Sequence, residues 1–477
     1  MANCESPIAH DACADNGGAT PGLGRDMPYC SSWSSESPQR PTRAAAGAEM
    51  SSNNLTGLGV LRHRSFAFYL AARLLSAVAV QIQSVAIGWQ VYALTGDVFD
   101  LGLIGLAQFA PFFALILFAG QAADRFDRRR IITVGLAVEL LCSLLLLAFT
   151  VSGLTVVWPV FAVLVLFGSA RAFMMPAQQA ILMNLVPQDS FSKAVALSSS
   201  SFHVAVIVGP TLGGLLYLAG SKIVYSTVGA LLLVSLVLMS LVRATRQARR
   251  AEPTSWSAVL EGLRFVWSKP AVLGAISLDL FAVLFGGAVA LLPAYARDVL
   301  HAGPTGLGLL RTAPAAGAAI TAGVLAFRPI TRQVGRWMFG GVAVFGLATI
   351  ALGQTRSFTV ALIALFLVGA GDMVSVYIRH ILVQFETPDS IRGRVSAVNA
   401  VFIGASNELG EFESGLTASW FGLLPAILLG GSATVVVAAL WALGFPVLSR
   451  MDRFPHAKRD PEQSAGGGGT TEAAATT

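Results

Sequence analysis

Apolar stretches of about 20 residues, separated by short charged clusters, recur along almost the whole chain, and about that length spans a ~30 Å hydrocarbon core. A soluble domain carries about 25% charged residues; here 12% of the 477 residues are charged and 55% are hydrophobic. The pattern excludes a soluble enzyme, a disordered chain and a protein with a single membrane anchor. Twelve spans fit, at about 65–93, 101–122, 131–151, 156–182, 194–217, 222–242, 270–295, 306–326, 337–354, 358–380, 394–419 and 423–448. The expected fold is all-α, with a six-helix bundle over 61–243, a central loop over 244–269 and a second bundle over 270–450.

Residues 1–60 and 451–477 are rich in small and polar residues without helical period and read as disordered tails. Met50 offers a second start shortly before the first span. In the central loop Trp256, Val259, Leu260, Leu263 and Trp267 recur at helical spacing, with Glu261 and Arg264 toward the other face. This predicts an interfacial helix joining the halves.

Charge placement gives the orientation. The even-numbered loops carry sixteen Lys and Arg residues against Lys222, Arg297 and Arg356 on the other side, which places both termini in the cytoplasm. The net charge of +6 therefore reads as topology. With 28 of the 32 basic residues being Arg and none clustered with aromatics, it does not read as a nucleic-acid surface. Cys4, Cys13, Cys30 and Cys142 form neither a zinc pattern nor a disulfide framework.

The halves echo one another. Tyr92-Ala93, Ala110-Pro111 and Gly120 match Tyr295-Ala296, Ala313-Pro314 and Gly323; later, Gly168, Pro187, Lys193, Gly209 and Gly214 match Gly369, Pro388, Arg394, Gly410 and Gly415. Parallel repeats of this kind place a substrate path between the halves.

Between spans two and three runs Gly120-Gln-Ala-Ala-Asp124-Arg125-Phe-Asp127-Arg128-Arg129-Arg130. Glycine suits a close helix crossing, and a carboxylate can accept from an arginine fork or a helix start. Span five holds Gly209-Pro210-Thr-Leu-Gly213-Gly214. The first motif resembles the G-x-x-x-D-R-x-G-R-R loop of the major facilitator superfamily, with Asp127 in place of the second glycine. The second resembles that superfamily's G-P-x-x-G-G antiporter signature. Ser406-Asn407-Glu408-Leu-Gly410-Glu411-Phe-Glu413 and Leu278-Asp279-Leu-Phe281 resemble its drug:proton antiporter branch. The resemblance implies twelve helices in two pseudo-repeats, N-in and C-in, and alternating access driven by the proton gradient with no cofactor. It further implies a monomer whose partners are the bilayer, a small molecule and protons, without nucleic acid, in a bacterial plasma membrane. The first motif would form a cytoplasmic latch, Asp124 resting on the start of span eleven at Arg392 to Arg394.

Charges inside spans are costly and mark function. Arg73, Arg171, Asp279 and Asp372 fall in spans one, four, seven and ten, the cavity-lining spans by resemblance. The expectation is two cations from the first half facing two carboxylates from the second across one cavity, with Asp279 or Asp372 exchanging a proton while Arg73 or Arg171 holds an anionic substrate group, or with the four paired as gates between the halves. Glu139, Glu408, Glu411 and Glu413 form a second acidic set; Glu408 and Glu411 share a helix face, Glu411 is the alternative proton site, and Arg311 is a candidate partner for these acids. Arg379 reads as a snorkelling residue near a span end. No metal constellation, P-loop or Gly-x-Ser-x-Gly motif is present. The reading is a proton-coupled exporter of a drug-like or siderophore-like amphiphile. Its rivals are an uptake symporter, a lysophospholipid transporter and, outside transport, an inactive receptor or scaffold.

Overall fold

The computed structural model describes residues 57–153, 155–243, 256–388 and 391–455, with a few side chains, among them Asp124, Arg392, Trp256 and Val259, also outside the description. All regular structure in these residues is helical. The first six long helices are α1 (Arg64–Thr95), α2 (Val98–Arg125), α3 (Arg128–Val151), α4 (Trp158–Ile181), α5 (Gln188–Tyr217) and α6 (Ser221–Leu241). After a linker helix, Trp256–Ser268, come α7 (Pro270–Phe285), α8 (Gly303–Phe327), α9 (Val334–Gln354), α10 (Phe358–Glu386), α11 (Arg392–Phe421) and α12 (Leu423–Gly444).

Eleven helices among the described residues are long and apolar enough to cross a membrane. The exception among the twelve long ones is α11, whose Arg392, Arg394, Glu408, Glu411 and Glu413 lower its apolarity although it packs against α2 and α7. Outward-facing apolar side chains such as Trp158, Phe327 and Leu443 are strongly exposed, as lipid-facing residues are.

Packing follows one scheme twice. In the first six helices α1 packs on α5 and α6, α3 on α4 and α6, and α2 on α4. In the second six α7 packs on α11 and α12, α9 on α10 and α12, and α8 on α10. Small residues permit the closest of these approaches. A Cβ at Gly168 would collide with the Gln108 carbonyl of α2, and one at Gly369 with the Pro314 carbonyl of α8. The two sets meet along α2–α11 and α5–α8.

Two expectations about continuity change. The span expected over 270–295 is present as Pro270–Val299 but is not one straight helix: α7 ends at Phe285, Gly286 and Gly287 follow, and short helical turns continue to Val299. A Cβ at Gly286 would enter the Phe345 ring and one at Gly287 the Gly410 carbonyl, so the glycines let α9 and α11 approach α7. Pro293, lacking an N–H, adds to the break. The tails expected over 1–60 and 451–477 are trimmed at their inner edges. Residues 57–62 form a 3₁₀ turn with Val60 buried, and Gly335 N–H donates to Met451 O at 2.9 Å. The rest of both tails, and residues 244–255, lie outside the described residues.

The linker helix is seated differently from an element lying freely on a membrane. Val266 is buried and packs in one cluster with Val395 and Val398 of α11, while Leu260 and Trp267 stay exposed. Gly262 lies so close to the Arg394 backbone that an added Cβ would fall 3.0 Å from its carbonyl. An exposed pair joins Glu261 to Arg394 at 2.5 Å. Exposed pairs contribute about 0–1 kcal/mol, so Glu261→Ala leaves thermal stability nearly unchanged. Gly262→Val undocks the helix, read as faster proteolysis within 244–269.

Candidate functional site

The basic motif works first on its own half. Asp127 caps α3, its side chain accepting the Arg129 N–H at 2.9 Å, which gives a physical use for the residue that replaces the second glycine. Arg128 donates to the Ala180 carbonyl at 3.0 Å and to Asn184 at 3.3 Å, at the end of α4. Arg129 donates to the Ser240 carbonyl at the end of α6. Both arginines thus satisfy free carbonyls at negative helix ends. Arg125 is exposed, and a Cβ on Gly120 would meet open space. The expected latch from Asp124 to Arg392 lies outside the described side chains, and Arg394 is engaged by Glu261.

At the opposite end the halves are drawn tightly together. Gly209 and Gly213 of α5 press against Gln81 and Ile82 of α1, while Gly214 faces Gly308 of α8. Thr211 and Thr312 share a hydrogen bond of 2.7 Å across the same seam. On the other seam Gly102 meets Gly415, and Gly105 makes room for the Glu411 side chain. Tyr92 donates to Asp298, and Arg297 donates to the Tyr92 carbonyl at 3.1 Å. The Gly-Pro motif therefore seats α5 against both α1 and α8.

Beneath that seal lies a cavity of about 390 Å³ between the halves. Arg73, Arg171, Arg311, Glu408 and Glu411 all line it, joined by Glu139. Arg73 donates to the Tyr69 hydroxyl at 3.2 Å, and that hydroxyl donates to the Gln178 carbonyl at 3.0 Å, fixing the arginine against α4. The Arg171 guanidinium lies 5.8 Å from the centre of the Phe167 ring and within electrostatic range of Glu139, Glu408 and Glu411. Arg311 reaches from α8 to the Ser84 hydroxyl of α1 at 2.7 Å, and its Nε has no partner. The wall is completed by amides and soft apolar groups, including Gln81, Gln108, Gln178, Met174 and Phe112. Such a surface presents both charge signs, amide groups and π-faces.

Asp279 and Asp372 are not in this cavity, which corrects the expected facing of two cations by two aspartates. They line a separate pocket of about 10 Å³ inside the second half, with Ser375. Arg379 is the reason. It does not snorkel; it is only 1% exposed and forms an ion pair with Asp279. The acids that face the cavity cations are Glu139, Glu408 and Glu411. Glu413 is half-buried and accepts from Thr417 at 2.7 Å. Sequence reasoning missed the Arg379 pair, although Asp279 and Arg379 both interrupt apolar helices, and it missed the glutamine wall.

Exchanging Arg311 for glutamine removes its charged hydrogen bond to Ser84, worth about 1.5–3 kcal/mol. Arg311→Gln lowers transport roughly tenfold or more, at about 1.4 kcal/mol per decade. Initial rates in vesicles check this, with Ser84→Ala as a milder companion.

Two helix sets closed at one end over a cavity of both charge signs define a membrane transporter of the major facilitator type. A profile of the transmembrane secretion effector family matches residues 55–464, and the chain belongs to that family within the major facilitator superfamily. It is a multi-pass integral membrane protein, placed by its family in the bacterial inner (plasma) membrane. It is similar to the multidrug efflux pump Tap of Mycobacterium tuberculosis, 28% identical over 82% of this chain and 96% of that protein. Similarity extends to the enterobactin exporter EntS of Citrobacter koseri, 25% identical over 78% and 92%. Among solved structures, a bacterial homologue of the lysosomal transporter Spinster, inward-facing and unoccupied, superposes with a TM-score of 0.64 at 17% identity, covering 81% of this chain and 97% of that one. The nucleoside transporter NupG gives 0.65 at 13%, covering 80% and 99%. These structural likenesses concern the fold.

Proposed function

We propose that the protein is a proton-coupled exporter of a drug-like or siderophore-like amphiphile, working by alternating access. Twelve spans, α11 included, form two six-helix pseudo-repeats with both termini in the cytoplasm. The reading is carried by one observation: a two-signed cavity lies between the halves, beneath a seal of glycines, threonines and the Tyr92–Asp298 contact. Repeated packing of helices one to six and seven to twelve supports the pseudo-repeat. The basic loops support the orientation. In this arrangement the cavity opens toward the cytoplasm, where it takes up its cargo.

A cationic or zwitterionic group of the cargo would lie against Glu408 and Glu411, an anionic one against Arg73 or Arg171, and its apolar body against Phe112 and Met174. Closing the basic end and opening the glycine seal would then release it outside. The names of Tap and EntS, an efflux pump and an exporter, support export.

The test uses purified protein in proteoliposomes with an imposed pH gradient and ethidium as the probe. Dye movement opposite to proton flow, with substrate-dependent proton movement, is the expected result. Dye moving with the proton overturns export, and dye movement indifferent to the gradient overturns proton coupling.

A further inference from the structure

The pocket inside the second half is built from charged and polar groups that the cargo cavity does not use. Asp279 of α7 and Asp372 of α10 line it, and Arg379, two turns beyond Asp372, pairs with Asp279. Two carboxylates thus line a pocket that holds one guanidinium, which pairs with Asp279, so with both acids ionised the cluster is short one positive charge. An uncompensated charge in a low-dielectric interior is strongly unfavourable, so a second positive charge belongs here. Among the described residues Asp372 has no hydrogen bond or ion pair. A second observation points the same way: the Ser375 hydroxyl is 2% exposed, lines the pocket and has no hydrogen-bond partner. A hydroxyl one turn from a carboxylate can accept from its acid form or donate to its ionised form.

Size selects the ligand. About 10 Å³ sits at the lower limit for one water. A sodium ion needs several oxygen ligands, and one carboxylate here is already held by Arg379. From the neighbouring helices the pocket receives Val342 and Phe345 of α9 and Ala282 and Val283 of α7. The further titratable side chain near Asp279 is His380, whose ring bonds the Val376 carbonyl at 3.0 Å.

We propose that Asp372, with Ser375 and the Asp279–Arg379 pair, is a proton-binding site inside the second half, separate from the cargo cavity. The pocket adjoins the break in α7: Asp279 lies two turns before Gly286, and Phe345 touches both pocket and break. Adding or removing one proton there alters the balance holding α7 to α10, while cargo occupies a different space. The coupling role rests on the proton-coupled reading above; the binding of a proton does not.

The full-length protein in detergent, without cargo, is titrated while the infrared carbonyl stretch of protonated carboxylic acids is recorded. Proton uptake is measured in parallel in unbuffered solution. The expected result is that Asp372→Asn loses one component of the acid band and takes up about one proton fewer per chain. Ser375→Ala shifts that component without removing it, and Glu411→Gln leaves it in place. An Asp372→Asn titration identical to the parent overturns the site. Sodium chloride stabilising the parent more than choline chloride at equal ionic strength, with the effect lost in Asp372→Asn, overturns the proton in favour of a metal cation. Should the ethidium assay show no proton coupling while the band behaves as expected, the site stands and the coupling role falls.

Discussion

Arg379→Met destabilises the protein by about 3–5 kcal/mol, the range for breaking a buried ion pair by removing one partner. Arg379 is 1% exposed and Asp279 4% exposed, so neither group can turn to water when the other is lost. Methionine keeps most of the length but not the charge, leaving two carboxylates around one small pocket. The loss is smaller at low pH, because protonating a carboxylate removes the uncompensated charge, and it grows as pH rises. The double variant Asp279→Asn with Arg379→Met recovers much of the stability, since a buried pair replaced by neutral groups is often nearly neutral. Thermal unfolding in detergent across pH, arranged as a double-mutant cycle, measures both effects. A pH-independent loss with no recovery in the double variant would mean that Arg379 matters for packing alone.

Gly214→Leu forces the sealed end apart. A Cβ there would lie 2.6 Å from the Pro304 carbonyl and 3.1 Å from the Cα of Gly308, and backbone cannot move aside as a side chain does. Overpacking of this kind costs about 1–3 kcal/mol. It falls on the state in which α5 and α8 touch, so the ratio of sealed to open molecules shifts roughly tenfold to a hundredfold, at about 1.4 kcal/mol per decade. The measurement places a cysteine at Ala290, which lines the cavity, in a background lacking Cys4, Cys13, Cys30 and Cys142. A membrane-impermeant thiol reagent added outside intact cells then labels it faster in Gly214→Leu than in the parent. Equal labelling would show that this seam does not open to the outside.

Helix placement was legible because both its causes are local. Apolar runs of bilayer length bounded by charge set where α1 to α6 and α8 to α12 begin and end, to within a few residues. The main departures at helix ends come from polar turns, as where α10 runs on to Glu386 past Arg379 and His380. Gly168 and Gly369, matched in the sequence, each sit where a Cβ would strike the carbonyl of a packed helix. The break in α7 was written in Gly286-Gly287 and Pro293, yet apolarity ran through it unchanged and hid it.

Pairing of charges was a different matter. Arg73, Arg171, Asp279 and Asp372 look equivalent as single charges in apolar spans. Which of them meet depends on the rotation of each helix about its axis, and a packing contact far along the chain fixes that rotation. Thus Arg379 turns inward to hold Asp279, and Glu139, Glu408 and Glu411 take the places expected of the aspartates. The sequence by itself determined the solvent of this protein and its helical class, because hydrophobicity acts residue by residue. Only the tertiary structure decided which few buried charges face the cargo and which face one another, because a charge inside a membrane is defined by its neighbour across the helix interface.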